Sequence, residues 1–211
     1  VPNTPFVLGF AVIPKRGAPT FYVDKAKITP ALKKGLSGLA GIADANGLIG
    51  ALARLGKKGG RVMVDPATCP VAIVDAVRNA GAALVERRDP VLLPKARKNA
   101  VEIGGMKEAQ RLDGVAMAKF LCWFDAEAPK GKLDEISIIT ALEAFRREEE
   151  SLADVSFETI AGAGANGAIV HYRVNTRTNR RLKPGELMLV DSGGQFLSGT
   201  TDITRTISTG R

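Results

Sequence analysis

Leu187-Met188-Leu189-Val190-Asp191-Ser192-Gly193-Gly194-Gln195-Phe196-Leu197-Ser198-Gly199-Thr200-Thr201-Asp202-Ile203-Thr204-Arg205-Thr206 reads as two β-rich runs folded about a turn. Asp191 closes the apolar run 187–190, and Asp202 stands eleven positions later among threonines and an isoleucine. Gly193, Gly194, Ser198 and Gly199 supply the turn between them, so a hairpin centred near 196–198 is expected, with one aspartate on each arm. Cross-strand neighbours lie ~5 Å apart and diagonal ones ~7–8 Å. The sequence leaves the register open, and with it whether the two carboxylates share a face. If they do, their like charges repel until one takes a proton or a cation enters. Oxygen donors suit hard cations such as Mn, Mg or Ca, and two metals ~3.5–4 Å apart can bridge a water and make it hydroxide near neutral pH. A carboxylate inside a sheet is costly unless it is paired or bound to metal. The plain alternative has one aspartate capping the turn and the other paired with Arg205.

Upstream, His171 is the chain's one histidine. It sits in Ala168-Ile169-Val170-His171-Tyr172, which reads as a strand. Just before it, Gly162-Ala163-Gly164-Ala165-Asn166-Gly167 fits the spacing GxGxxG. A dinucleotide site needs that motif to open a helix. Here a strand is expected next, so no helix N-terminus is offered to a pyrophosphate, and the glycines are read as a tight turn before His171. Gly56-Lys57-Lys58-Gly59-Gly60 lacks the spacing and the Ser/Thr of a P-loop and reads as a loop. The expected strands of this half are 155–160, 168–174, 186–192 and 200–207.

Residues 95–127 contain no proline, and Ile103, Met106, Ala109, Val115, Phe120 and Phe124 recur near a 3.6-residue period, which predicts one long amphipathic helix. Gly104-Gly105 is a candidate kink. Pro129-Lys130-Gly131 is a turn, a second helix follows over 137–149, and Arg146-Arg147-Glu148-Glu149-Glu150 reads as its solvated end. Two helices and then strands make an α+β unit from residue 93 onward. The preceding 1–92 read as an α/β unit. A hairpin of 6–13 and 19–24 turns at Lys15-Arg16-Gly17, and Thr29-Pro30 opens a helix. Asp44 caps another helix running to 55. A strand at 61–64, a helix through Val71, Val74, Val77 and Ala80, and a strand at 82–86 end at Asp89-Pro90.

A chain of 211 residues allows one or two domains. Its 45% hydrophobic and 25% charged residues suffice for a core and exclude disorder. No apolar run reaches the ~18 residues of a membrane span, so no membrane partner is expected. The net charge of +8 is spread over short groups such as Lys57-Lys58, Arg87-Arg88 and Arg180-Arg181. With aromatics at only 5%, this favours a solvated surface over nucleic-acid binding. Cys69 and Cys122 have no CxxC spacing and are expected to be reduced, part-buried thiols of a cytoplasmic protein. Val1 in place of Met, and a strand-like run to Arg211, suggest that both ends are interior points of a longer chain.

Gly164-Ala165-Asn166-Gly167-Ala168-Ile169-Val170-His171-Tyr172 resembles the histidine motif of the Xaa-Pro aminopeptidases, members of the pita-bread metallopeptidase superfamily. The stretch 189–196 with 199–206 resembles the part of that family's site that carries its first two metal ligands, and the twenty-residue step from His171 to Asp191 is similar too. Residues 1–92 resemble the family's creatinase-N-like α/β middle domain, and 93–211 the first part of its α+β pita-bread catalytic domain. The resemblance implies two divalent metal ions, manganese for choice, and release of the N-terminal residue from peptides with proline at the second position. It implies that Asp191 binds one metal, that Asp202 bridges both, and that His171 steadies the reacting carbonyl or shuttles a proton without binding metal. It also implies a homodimer for the intact protein. The family completes its site with a later histidine and two glutamates. Residues 1–211 therefore hold two of five ligands and are expected to be inactive alone. Prolidase-like dipeptidases, methionine aminopeptidases and non-catalytic pita-bread modules that bind peptides or histones are the rival readings; creatinase-like relatives lack the metal-binding aspartates.

Overall fold

The computed structural model describes residues 2–57 and 59–210. Lys58 of the expected glycine-rich loop, and the terminal Val1 and Arg211, lie outside the described residues. The chain divides into two compact units, one formed by Phe6–Arg97 and the other by the rest of the described residues.

In the first unit, β1 (Gly9–Val12) and β2 (Thr20–Val23) form the expected antiparallel hairpin, with Ala11 opposite Phe21. Helix α1 (Pro30–Leu36) begins where the Thr29 hydroxyl accepts the Leu32 amide at 3.1 Å and Pro30 fills the first turn. Strand β3 (Gly41–Asp44) adds parallel to β2; the sequence had not marked it. Asp44 caps a 3₁₀ turn that leads into α2 (Leu48–Lys57). Strands β4 (Arg61–Val64) and β5 (Ala83–Glu86) pair in parallel across α3 (Val71–Asn79), and the short α4 (Leu92–Ala96) follows. Tyr22, Leu48, Leu52, Val77 and Ala82 form the buried core.

In the second unit the long helix starts five residues later than expected. Helix α5 spans Ala100–Glu127 because Asn99 caps it. The Asn99 Oδ1 accepts the Glu102 amide at 2.9 Å, and Glu102 Oε2 accepts the Asn99 amide at 2.8 Å, a reciprocal capping box. The helix runs unbroken through Gly104-Gly105. What Gly105 supplies is close approach, since a Cβ there would collide with the Ser198 carbonyl. Helix α6 (Glu135–Arg147) is capped by the same device, Asp134 with Ser137, which sets its start two residues before the expected 137.

Two antiparallel three-stranded sheets complete the unit. One has the order β10 (Gly199–Thr200), β9 (Gly194–Phe196), β6 (Leu152–Val155). The other has the order β11 (Ile203–Ser208), β8 (Leu187–Ser192), β7 (Ile160–Ala163). Three strand expectations fail here. Residues 155–160 are mainly the connection between β6 and β7. The run 200–207 is split, because Thr201 and Asp202 carry the chain from one sheet to the other. Residues 168–174 form no strand: a 3₁₀ turn, Gly164–Ala168, is followed by turns. Side-chain partners supplied by the fold override the β-propensity of Ile169 and Val170 there. The core is built from Phe120, Phe124, Ile138, Leu142, Met188 and Val190, all fully buried. Each large apolar side chain of this kind contributes ~1.5–3 kcal/mol.

Among the described residues no helix is long and apolar enough to cross a membrane. Cys69 is half-buried, as expected, but Cys122 is exposed on α5.

Candidate functional site

The two aspartates meet because of the register of one strand pair. In β8 the side chains of Met188, Val190 and Ser192 are buried, so Leu187, Leu189 and Asp191 point to the opposite face. Asp191 lies opposite Thr204 of β11, whose hydroxyl donates to Asp191 Oδ1 at 2.7 Å. Asp202 stands two residues before Thr204, just outside the paired register, with its side chain beside that of Asp191. The Asp202 carboxyl is held above its ordinary value by partial burial first, then by the Asp191 charge, then by a side-chain hydrogen bond with Asp191. Asp202 is not inside a strand, contrary to expectation; it sits at the junction just before β11. The expected hairpin exists, with Gly199 opposite Phe196. It forms the tip only, while the aspartates lie at the root, where the chain changes sheets.

Gly193 makes that change possible. A Cβ at this position would collide with the Thr201 carbonyl and with Ser156 Oγ, which donates to that carbonyl at 2.9 Å. The backbones on either side of the aspartates thus approach too closely for any side chain.

Arg205 does not pair with either aspartate. Its Nη1 donates to the Thr204 carbonyl at 2.7 Å, and among the described residues no cationic group forms an ion pair with Asp191 or Asp202. Two carboxylates that face each other without a basic partner fit a hard divalent cation, with the oxygens as donors. They do not make a full cage: among the described residues no group of three or more His, Cys, Asp or Glu side chains could hold a metal ion.

His171 is exposed and has a left-handed backbone, φ 53°. It follows the 3₁₀ turn, whose Gly167 lies against Leu189, two residues before Asp191 on the same face of β8. The turn is organised from behind by Glu135, the first residue of α6 and fully buried. Glu135 Oε1 accepts the Ala163 amide at 2.8 Å and Asn166 Nδ2 at 2.9 Å. Its Oε2 accepts the Tyr172 hydroxyl at 2.9 Å and the Arg180 amide at 3.1 Å. Burial lifts the Tyr172 phenol above its ordinary value. A hydrogen bond with the Thr178 side chain works the other way, and Glu135 adds to the rise. These bonds hold the chain on both sides of His171 in its non-strand path.

A second buried cluster lies behind the aspartates. Contrary to the expectation of a solvated helix end, Arg146 is fully buried, as is Asp113, and the two form an ion pair, Nε to Oδ1 2.6 Å. The pattern held a signal for this. Asp113 falls among Ala109, Ala116 and Met117 on the buried face of α5, and Arg146 continues the line Ile138–Leu142 on α6. A charge on each of two facing apolar stripes marks a pair, since an isolated buried charge is too costly. Glu135 gave no such signal, because its partners come from four separate places in the chain.

Comparison with known proteins also divides the chain in two, at a nearby point. The profile of metallopeptidase family M24 matches residues 104–211, and that of the Creatinase/Prolidase N-terminal domain matches residues 1–102. Xaa-Pro aminopeptidase 1 of Dictyostelium discoideum is 36% identical over 211 residues, covering 98% of this chain and 33% of that protein. Aminopeptidase P2 of Arabidopsis thaliana is 31% identical over 237 residues, with 98% and 33% covered. The chain therefore spans about a third of the length of these relatives. Among solved structures, an X-prolyl aminopeptidase from Caenorhabditis elegans, described as a cytosolic enzyme with a di-nuclear active site, superposes with a TM-score of 0.89. It covers 99% of this chain and 35% of its own at 24% identity. An Xaa-Pro dipeptidase from Bacillus anthracis gives 0.75 at 21% identity, covering 99% and 57%. At these identities the structural likeness carries the fold.

Proposed function

The chain belongs to metallopeptidase family M24, and on that footing we propose that the full-length protein is a Xaa-Pro aminopeptidase. Its fold is a creatinase/prolidase N-terminal α/β unit joined to part of a pita-bread unit. The reaction proposed is hydrolysis of the bond between an N-terminal residue and a following proline. One observation carries the reading: Asp191 and Asp202 face each other at a strand junction with no basic partner among the described residues.

Asp191 and Asp202 would supply carboxylate ligands to two divalent ions, manganese for choice. The ions when bound supply an activated water for attack on the peptide carbonyl. Thr204 fixes one oxygen of Asp191 through its hydroxyl and so sets the direction in which the carboxylate binds. His171 would steady the reacting carbonyl or move a proton, positioned by the turn that Glu135 and Tyr172 hold. The remaining donors, a histidine and two glutamates in this reading, would come from outside residues 1–211. The polypeptide of residues 1–211 is accordingly expected to show no turnover by itself. A cytosolic homodimer acting on free peptides, without nucleic acid or membrane as partner, completes the proposal.

The test is peptide hydrolysis by the full-length protein with added Mn²⁺. Release of the first residue from Xaa-Pro-Yaa peptides, abolished by a chelator and by Asp202→Asn, is expected. Cleavage limited to Xaa-Pro dipeptides would assign a prolidase-like dipeptidase instead. Peptide binding without any cleavage would assign a binding module.

A further inference from the structure

Two like-charged carboxylates must be kept together before any cation arrives. Strand pairing fixes Asp191, which lies within the β8–β11 ladder, but Asp202 lies outside it. Its neighbour Thr201 is instead held at every polar atom. The Thr201 amide donates to the Gly194 carbonyl at 2.9 Å, and its carbonyl accepts from Ser156 Oγ at 2.9 Å. Its hydroxyl accepts the Gly194 amide at 2.8 Å and donates to Asp113 Oδ2. Asp113 is in turn fixed by Arg146, whose Nη2 reaches both Asp113 Oδ2 at 3.3 Å and Ser192 Oγ at 3.0 Å. Ser192 is the residue next to Asp191, and Thr201 the residue next to Asp202.

We propose that Asp113 and Arg146 are positioning residues that set the separation of Asp191 and Asp202, acting through Ser192 and Thr201. This rests on the metal-binding reading of the two aspartates. A buried ion pair is a weak source of stability, because apolar residues of the same volume often do as well. Here both ends of the pair are tied to the two residues that flank the site, and Arg146 Nη1 is left without a partner among the described atoms. A pair selected only to fill space would not need the hydroxyl groups of Ser192, at the end of β8, and Thr201, at the junction before β11, at its rim. The carboxyl groups are thus set by helices α5 and α6 from behind, and the face that meets metal is left free.

The test uses the metal-free full-length protein and four forms: wild type, Thr201→Val, Thr201→Ser and the core variant Leu142→Ala. Mn²⁺ affinity is measured by titration calorimetry, together with Tm and amide exchange across 201–204. Thr201→Val keeps the shape and removes the hydroxyl. Its Mn²⁺ affinity is expected to fall ~10–100-fold, with faster exchange at 201–204, while Thr201→Ser stays within about threefold of wild type. Leu142→Ala, with at least as large a fall in Tm, is expected to keep both affinity and exchange at the site. Unchanged exchange and affinity in Thr201→Val would overturn the proposal, as would an equal loss of affinity in Leu142→Ala. If the wild type takes up no Mn²⁺, the metallopeptidase reading fails. Even then, an exchange change at 201–204 confined to Thr201→Val upholds the positional role, and its absence overturns it.

Discussion

Replacing Glu135 by glutamine removes one oxygen from a carboxylate that accepts four hydrogen bonds in the interior. The new amide can take either of two orientations. With its NH₂ in place of Oε2 it faces the Arg180 amide; with its NH₂ in place of Oε1 it faces the Ala163 amide. Tyr172 can turn its hydroxyl to the Thr178 carbonyl, 3.1 Å away, but a backbone N–H cannot reverse. One buried N–H is therefore left facing another in each case. An unsatisfied buried group costs ~1–3 kcal/mol, and the remaining bonds lose the added strength of a charged acceptor. A total of about 3 kcal/mol is expected, or ~10²-fold in an opening equilibrium. The assay is hydrogen exchange of the full-length protein, wild type against Glu135→Gln, followed at the Ala163 and Arg180 amides, with urea unfolding alongside. Exchange within threefold of wild type and an unshifted urea midpoint would refute the account of how the His171 turn is held.

The cap of α6 gives a prediction for acid. Burial pushes the Asp134 carboxyl up, but hydrogen bonds from the Ser137 amide and from the Asn179 and Ser137 side chains, with the Arg181 charge, outweigh it and leave the group below its ordinary value. A lowered carboxylate lends stability that is complete above the unfolded pKa of ~3.9 and is lost as pH falls through the folded one. Asp134→Ala is expected to cost ~1 kcal/mol at pH 7, and its deficit against wild type in urea unfolding should shrink below pH ~4; a deficit that persists unchanged to the acid limit of folding would contradict this. Gly193→Ala and Gly114→Ala should act in opposite directions. The first forces a Cβ against the Thr201 carbonyl and is expected to lose at least ~2 kcal/mol along with Mn²⁺ binding. The second lies inside α5 with no atom in reach of its Cβ and is expected to gain ~0.5–1 kcal/mol. Equal effects of the two on Tm would refute the reading of Gly193.

The strands and helices that show a clean period or a cap were legible from residue types alone. Thr29-Pro30, Asp44 and the apolar line of α5 fall where local chemistry places them. The true start of α5 was also written in the sequence, as Asn99 followed three residues later by Glu102. The nearness of Asp191 and Asp202 could be expected from the turn between them, but not the meeting of their side chains, because register is decided by which side of β8 enters the core. The path of 168–174 could not be read at all. Its side chains favour a strand, and what defeats that preference is a glutamate more than thirty positions away. Local propensity has no access to such a partner.

The nine residues from Gly105 to Asp113 work as a ruler. Gly105 lies against Ser198, Met106 and Ala109 against Gly199, and Asp113 against Thr201. The eight helical steps between them advance ~12 Å, and the three steps from Ser198 to Thr201 span up to ~10 Å, so the two segments keep pace. Inserting one residue into that part of α5 would swing Asp113 by ~100° and move it ~1.5 Å along the axis, away from the hydroxyl it holds. The count between Gly105 and Asp113 is thus set by contacts at both ends and in the middle of the segment at once.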